Sequence, residues 1–122
     1  MTDHGFISLD QLRNLRYLNL SLLPATDRGL VHLKSLSDLE HLELVYSEGF
    51  AGPMLTDAGL ESLSVLNNLK SLNLTGARLT DAGLGRLTAL TKLATLNLAR
   101  TLVTAQGIRK VTAALPNCEI IE

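Results

Sequence analysis

Leucines return along this chain in two rhythms. In "LRYLNL" from Leu15, "LEHLEL" from Leu39, "LKSLNL" from Leu69 and "LATLNL" from Leu93, the last three positions alternate apolar, polar, apolar. That period of two predicts a short strand. Downstream the spacing widens to three, as in Leu30, Leu33, Leu36 and again in Leu84, Leu87, Leu90. Such spacing predicts a short helix, partly 3₁₀, with one apolar face. The two rhythms recur together, so the predicted unit is strand, turn, short helix, turn.

A repeated phrase marks the start of each helix. It reads "TDHGF" from Thr2, "TDRGL" from Thr26, "TDAGL" from Thr56, "TDAGL" from Thr80 and "TAQGI" from Thr104, at offsets of 24, 30, 24 and 24 residues. The longer offset carries six extra residues within "YSEGFAGPML". A unit this small cannot bury its own leucines. Stacked units share a continuous core, and at least three are needed for stability.

Composition agrees. Of 122 residues 46% are apolar, and 29 are leucine, whereas the aromatics are only Phe6, Tyr17, Tyr46 and Phe50. A core drawn from one side chain implies one packing arrangement used repeatedly. The expected organisation is a single domain over 1–122. It comprises a partial helical unit at 1–14, repeats at 15–38, 39–68, 69–92 and 93–116, and a closing strand at 117–122.

The L-x-x-L-x-L strand signal followed by a TDxGL helix start resembles the leucine-rich repeat family. It is similar to the T-D-x-G-L type of bacterial repeat proteins and of the segments associated with F-box proteins. The resemblance spans essentially the whole chain. It implies an α/β fold: a right-handed solenoid with a parallel β-sheet on the concave face and short helices on the convex face. Two positions depart from the pattern. The usual Asn or Cys three places after L-x-L is here Leu23, Ser47, Ala77 and Thr101, and the last phrase has Ala105 in place of Asp. The backbone ladder that such a side chain supplies must then be made otherwise.

Physical chemistry accounts for the TDxG phrase. Thr or Asp ahead of a helix accepts hydrogen bonds from its free N–H groups, and the Asp charge suits the positive helix end. Gly29, Gly59, Gly83 and Gly107 are expected where neighbouring units approach too closely for a side chain. A cation held by Asp27, Asp57 and Asp81 is the alternative, but it needs several oxygens converging on one point. In "PNCEIIE", Cys118 and Ile120 are expected in the inward slots of the closing strand, with Cys118 a small buried apolar residue. The outer strands leave open edges, which makes edge-to-edge self-association an expectation.

The outward positions of the strands form rows about 4.8 Å apart. One row reads Tyr17, His41, Ser71, Thr95, Asn117; the next reads Asn19, Glu43, Asn73, Asn97, Glu119; a third reads Ser21, Val45, Thr75, Ala99. The Asn row admits two readings, a hydrogen-bonded ladder along the stack or a contact surface. Tyr17, His41 and Glu43 form a mixed corner of the kind that anchors interfaces. The inserted loop from Glu48 to Met54 carries Phe50 beside Tyr46, either as a contact element or folded back over the core. The candidate protein-binding residues are therefore Tyr17, Asn19, His41, Glu43, Tyr46, Phe50, Asn73, Asn97 and Arg100.

Charge narrows the partner. The formal net charge is -1, so no overall field recruits nucleic acid or membrane. Six acids and no Lys or Arg fall between Ser35 and Ser64, whereas Val65 to Thr112 holds seven bases and one acid. The sequence offers no phosphate loop, no metal-binding histidine pair, no nucleophile elbow and one cysteine. His41 and Glu43 point side by side into solvent without a pocket to tune them. The sequons at Asn19 and Asn73 follow from the strand pattern. The expectations are a non-catalytic protein- or peptide-binding module without cofactor or metal, with a cytoplasmic setting favoured by the absence of a signal-peptide pattern and of disulfides. The alternatives are a structural spacer within a larger repeat protein and a regulatory segment of a multidomain enzyme, such as a ubiquitin-ligase adaptor.

Overall fold

The computed structural model describes residues 12–21, 25–52 and 54–122. The expected helical unit at 1–14 lies almost wholly outside them, as does Leu23. The period-two segments form strands: β1 Tyr17–Asn19, β2 His41–Glu43, β3 Ser71–Asn73, β4 Thr95–Asn97 and β5 Glu119–Ile121. They make one parallel sheet in the order β1-β2-β3-β4-β5. The same main-chain bond recurs past the strand ends, from the amides of Leu20, Leu44, Leu74 and Leu98 to the carbonyls of Glu43, Asn73, Asn97 and Ile121.

The period-three segments form the crossovers. Helix α1 Asp27–Leu30 runs into a 3₁₀ turn at Val31–Ser35. Helix α2 Leu60–Leu63 follows a 3₁₀ turn at Asp57–Gly59, and α3 Asp81–Leu84 precedes one at Leu87–Ala89. A spacing of three suits 3₁₀ geometry, so these helices stay at one turn. Ile108, Val111 and Leu115 are spaced by three and four, and α4 Ala105–Ala114 is accordingly a regular ten-residue helix. Leucines from every described crossover and from β2, β3 and β4 join one buried cluster, in which Leu42, Leu72 and Leu96 have no exposed surface.

The closing strand corrects the expectation. Glu119 pairs with Thr95, Ile120 with Leu96 and Ile121 with Asn97. Asn117 therefore does not continue the Tyr17 row, Glu119 takes its place there, and Ile121 occupies the Asn slot. A slip of two residues keeps every side chain on its face, so alternation alone could not detect it. Cys118 is buried ahead of the strand, and burial pushes its thiol pKa up.

The TDxG phrase also works differently from a simple cap. The hydroxyls of Thr26, Thr56 and Thr104 accept from the amides of Gly29, Ala58 and Gly107, as helix caps do. The aspartates reach forward to the next unit. Asp27 accepts from the amide of Thr56 at 2.7 Å, Asp57 from that of Thr80 at 2.9 Å and Asp81 from that of Thr104 at 2.8 Å. In each case the second carboxylate oxygen accepts from the same Thr hydroxyl. Thr104 holds the Asp81 carboxyl below its usual pKa. Each Asp thus clamps two units together, and its oxygens do not converge on a common point.

The clamp explains the glycines. A Cβ on Gly59, Gly83 or Gly107 would overlap Oδ1 of the preceding unit's Asp27, Asp57 or Asp81. None of these glycines has positive φ, so space alone sets the requirement. Gly83→Ala would also bring its Cβ within 3.0 Å of the Asp57 Cβ, forcing the carboxylate off Thr80. Alanine in a helix normally gains about 1 kcal/mol over glycine. At Gly83 a loss of about 1–3 kcal/mol is expected instead, from the broken charge-assisted bonds. Gly85, where an added Cβ would find nothing within 4 Å, is the control. Urea unfolding of Gly83→Ala and Gly85→Ala should give shifts of opposite sign.

The ladder of the missing Asn or Cys is made by the main chain. The amide of Tyr46 donates to Thr75 O and that of Gly76 to Ala99 O, carrying the pairing into the turns. Gly76 has φ 84°, and a Cβ there would meet Tyr46 O at 2.6 Å. Glycine is required on both counts.

Candidate protein-binding face

The parallel register places the outward positions of β1 to β5 side by side. Tyr17 stands beside His41 with ring centroids 6.3 Å apart, and its hydroxyl donates to Glu43 Oε2 at 2.7 Å. Tyr17 is 55% exposed. Its bond to Glu43, with lesser help from desolvation and the carboxylate's charge, raises the phenol pKa above its usual value. The expected corner is therefore assembled, with Glu43 partnered by Tyr17.

The Asn row is not a ladder along the stack. Asn19 Oδ1 accepts from the Ser21 amide at 2.8 Å, Asn73 Oδ1 from the Thr75 amide at 3.1 Å, and Asn97 Oδ1 from the Ala99 amide at 3.0 Å. Thr75 Oγ1 also donates to Asn73 Oδ1. These are local bonds two residues onward, which short Asn side chains make where a strand bends into a turn. Each Asn fixes the exit of its own strand. Ile121, 37% exposed, ends the row.

Tyr46 lies in the core, not on the surface. It is 4% exposed; its hydroxyl donates to Ala25 O at 2.7 Å and accepts from the Leu55 amide at 3.1 Å. Burial pushes its pKa up to about 12. Tyr46 thus ties the two ends of the inserted segment to the preceding unit. Phe50 packs against it at 6.2 Å between ring centroids and remains 37% exposed.

Arg100 is exposed, in the turn after β4, with φ 57°. Its Nη2 donates to Tyr46 O at 3.1 Å, above Gly76. Arg100 and Phe50 line one hollow of about 300 Å³ with Glu48, Met54, Arg78 and Leu102. The hollow lies between the inserted loop and the turns that follow β3 and β4. Phe50 and Arg100 are among the candidate residues named from the sequence, and Arg78 and Leu102 are not. Their shared signal is positional: Arg78 and Leu102 lie 24 residues apart, as do Gly76 and Arg100. Among the described residues no group of histidine, cysteine or acidic side chains is arranged to hold a metal ion. No described helix is long and apolar enough to cross a membrane.

No family model matches the chain, and no curated protein matches it. Solved structures match in fold. The Mex67:Mtr2 subunits of Chaetomium superpose with a TM-score of 0.68 at 17% identity, covering 98% of this chain and 89% of that one. The actin-binding site 2 of leiomodin-1 gives 0.69 at 10% identity, over 99% and 79%. The internalin InlF of Listeria monocytogenes gives 0.60 at 20% identity, and a leucine-rich repeat protein of Leptospira interrogans gives 0.57 at 22%. The chain spans 37% and 33% of those two proteins. The fold is thus leucine-rich-repeat-like: a five-stranded parallel α/β sheet with short helical crossovers.

Proposed function

We propose that the chain is a non-catalytic protein-interaction module. In this reading it is one right-handed, curved solenoid with repeats at 15–38, 39–68, 69–92 and 93–116. The sheet forms the concave face, which binds a protein or peptide together with the 48–54 loop. The observation that carries this is the contrast between the two sides of the sheet. Behind it stand fully buried leucines; in front, the exposed Tyr17 is oriented by Glu43 and flanked by His41. Aromatic side chains with a fixed polar handle are typical anchors of protein interfaces. Two of the fold's likenesses, an actin-binding site and a two-protein complex, are described by their own protein contacts.

The test is crosslinking from the sheet. A photoreactive residue at Thr95, in the row that begins with Tyr17 and His41, should yield a defined protein adduct in cell extract. The Tyr17→Ala/His41→Ala variant should lose that adduct while melting at an unchanged temperature. Retention of the full adduct by a folded double variant would remove the sheet face from the reading.

A further inference from the structure

We propose that the hollow beside the inserted loop binds an extended peptide segment in which a carboxylate side chain neighbours a large apolar one. This rests on the reading of the chain as a peptide- or protein-binding module, and it assigns the partner's chemistry to a place off the sheet rows.

Two sets of groups meet there. The first is apolar: Phe50 is 37% exposed and Leu102 64%, with the buried Met54 between the loop and the turns. Leu102 is among the most exposed large hydrophobic residues described, whereas most other described leucines are buried. A hollow of about 300 Å³ is the size of a small ligand site and takes one or two peptide side chains.

The second set is cationic. Arg78 and Arg100 line the hollow against a single acid, Glu48. Arg100 spends one N–H on Tyr46 O, which fixes the direction of its guanidinium. The remaining donors of that planar fork match a carboxylate in two-point geometry. Among the described residues the Arg78 side chain has no hydrogen-bond or ion-pair partner, whereas Arg86 is engaged by Asp57 O and Lys92 by Asn68. Within the lining itself two arginines stand against one carboxylate, which favours an acidic partner segment.

The φ of 57° at Arg100 strengthens the assignment. Gly76 holds the corresponding place one unit earlier, where the left-handed backbone needs no side chain. A non-glycine residue there is held against its backbone preference, a feature that concentrates at ligand sites.

The probe is the amidated peptide acetyl-Gly-Ser-Glu-Glu-Leu-Phe-Gly-Ser, titrated into the isotope-labelled chain and followed by amide chemical shifts. The shifts should gather at residues 47–50, 76–78 and 100–102. Replacing Glu-Glu by Lys-Lys, or Leu-Phe by Ser-Ser, should weaken binding at least about tenfold, as lost paired-charge and apolar contacts imply. Arg100→Gly should do the same. Glycine accepts the turn's backbone, so the fold is retained and the core amide shifts report it. Equal binding of the Lys-Lys peptide, or no shift at millimolar peptide, overturns the proposal. Shifts at residues 17, 41, 71 and 95 with the hollow silent overturn it too, but leave the sheet-face function standing. Concentration-dependent shifts at the hollow without peptide would identify a second copy of the chain as its occupant, which also overturns it.

Discussion

Tyr46→Ala is expected to lower the unfolding free energy by about 3–5 kcal/mol, the range for removing a buried aromatic ring. The ring is 4% exposed and packs with the leucine cluster, so its loss opens a cavity at the base of the inserted loop. Tyr46→Phe separates the hydroxyl from the ring. It keeps the packing but strands the Ala25 carbonyl and the Leu55 amide, at a cost of about 1–3 kcal/mol. Alkali gives an independent check. The folded phenol has its pKa raised from 10.0 to about 12, so the folded state holds this proton more tightly than the unfolded chain. The resulting stability is fully present below pH 10 and is lost as pH rises toward 12. Denaturant unfolding across that window should show the loss in the native chain and a smaller one in Tyr46→Phe. Equal slopes in both would show that Tyr46 is not buried as described.

Leu72→Ala comes next, at about 2–5 kcal/mol. Leu72 has no exposed surface and sits in β3, with Leu42 on one side and Leu96 on the other. The cavity therefore falls where three units meet. Leu102→Ala is the matched control: the same atoms are removed from a side chain that is 64% exposed, and stability should stay within about 0.5 kcal/mol. Thermal melts of the two variants that coincide would contradict a shared leucine core.

The legible part of the fold was whatever repeats. Leucine spacing placed β1 to β4 and the short crossovers, because burial forces the same residue into the same slot each time. Four features escaped for physical reasons. The register of β5 slipped by two because alternation is blind to a shift of that size; the 24-residue offset from Leu96 to Ile120 holds the information. The role of Asp27, Asp57 and Asp81 was misplaced because local rules cap an aspartate on its own helix, whereas these side chains act 23 to 29 residues onward. Asn19, Asn73 and Asn97 share a column, which leaves a ladder and a contact surface equally open in the sequence, yet each finds a nearer amide two residues onward. Tyr46 read as surface because nothing in the pattern distinguishes a tyrosine bonded at both faces of its hydroxyl from an exposed one. Of the candidate site, the Tyr17, His41 and Glu43 corner followed from strand alternation. The hollow did not, since it depends on how a six-residue insertion folds against turns from two later units.

The aspartate clamp gives the architecture a direction of growth. Each joint is made by an acid on the earlier module and a threonine on the later one, so a module copied from residues 69–92 and spliced behind itself would bring both halves of the joint. A module spliced directly behind the 104–107 turn would find Ala105 where the acid belongs. An interior module copied in tandem therefore carries its own joint, whereas a joint made from Ala105 would lack its acid half.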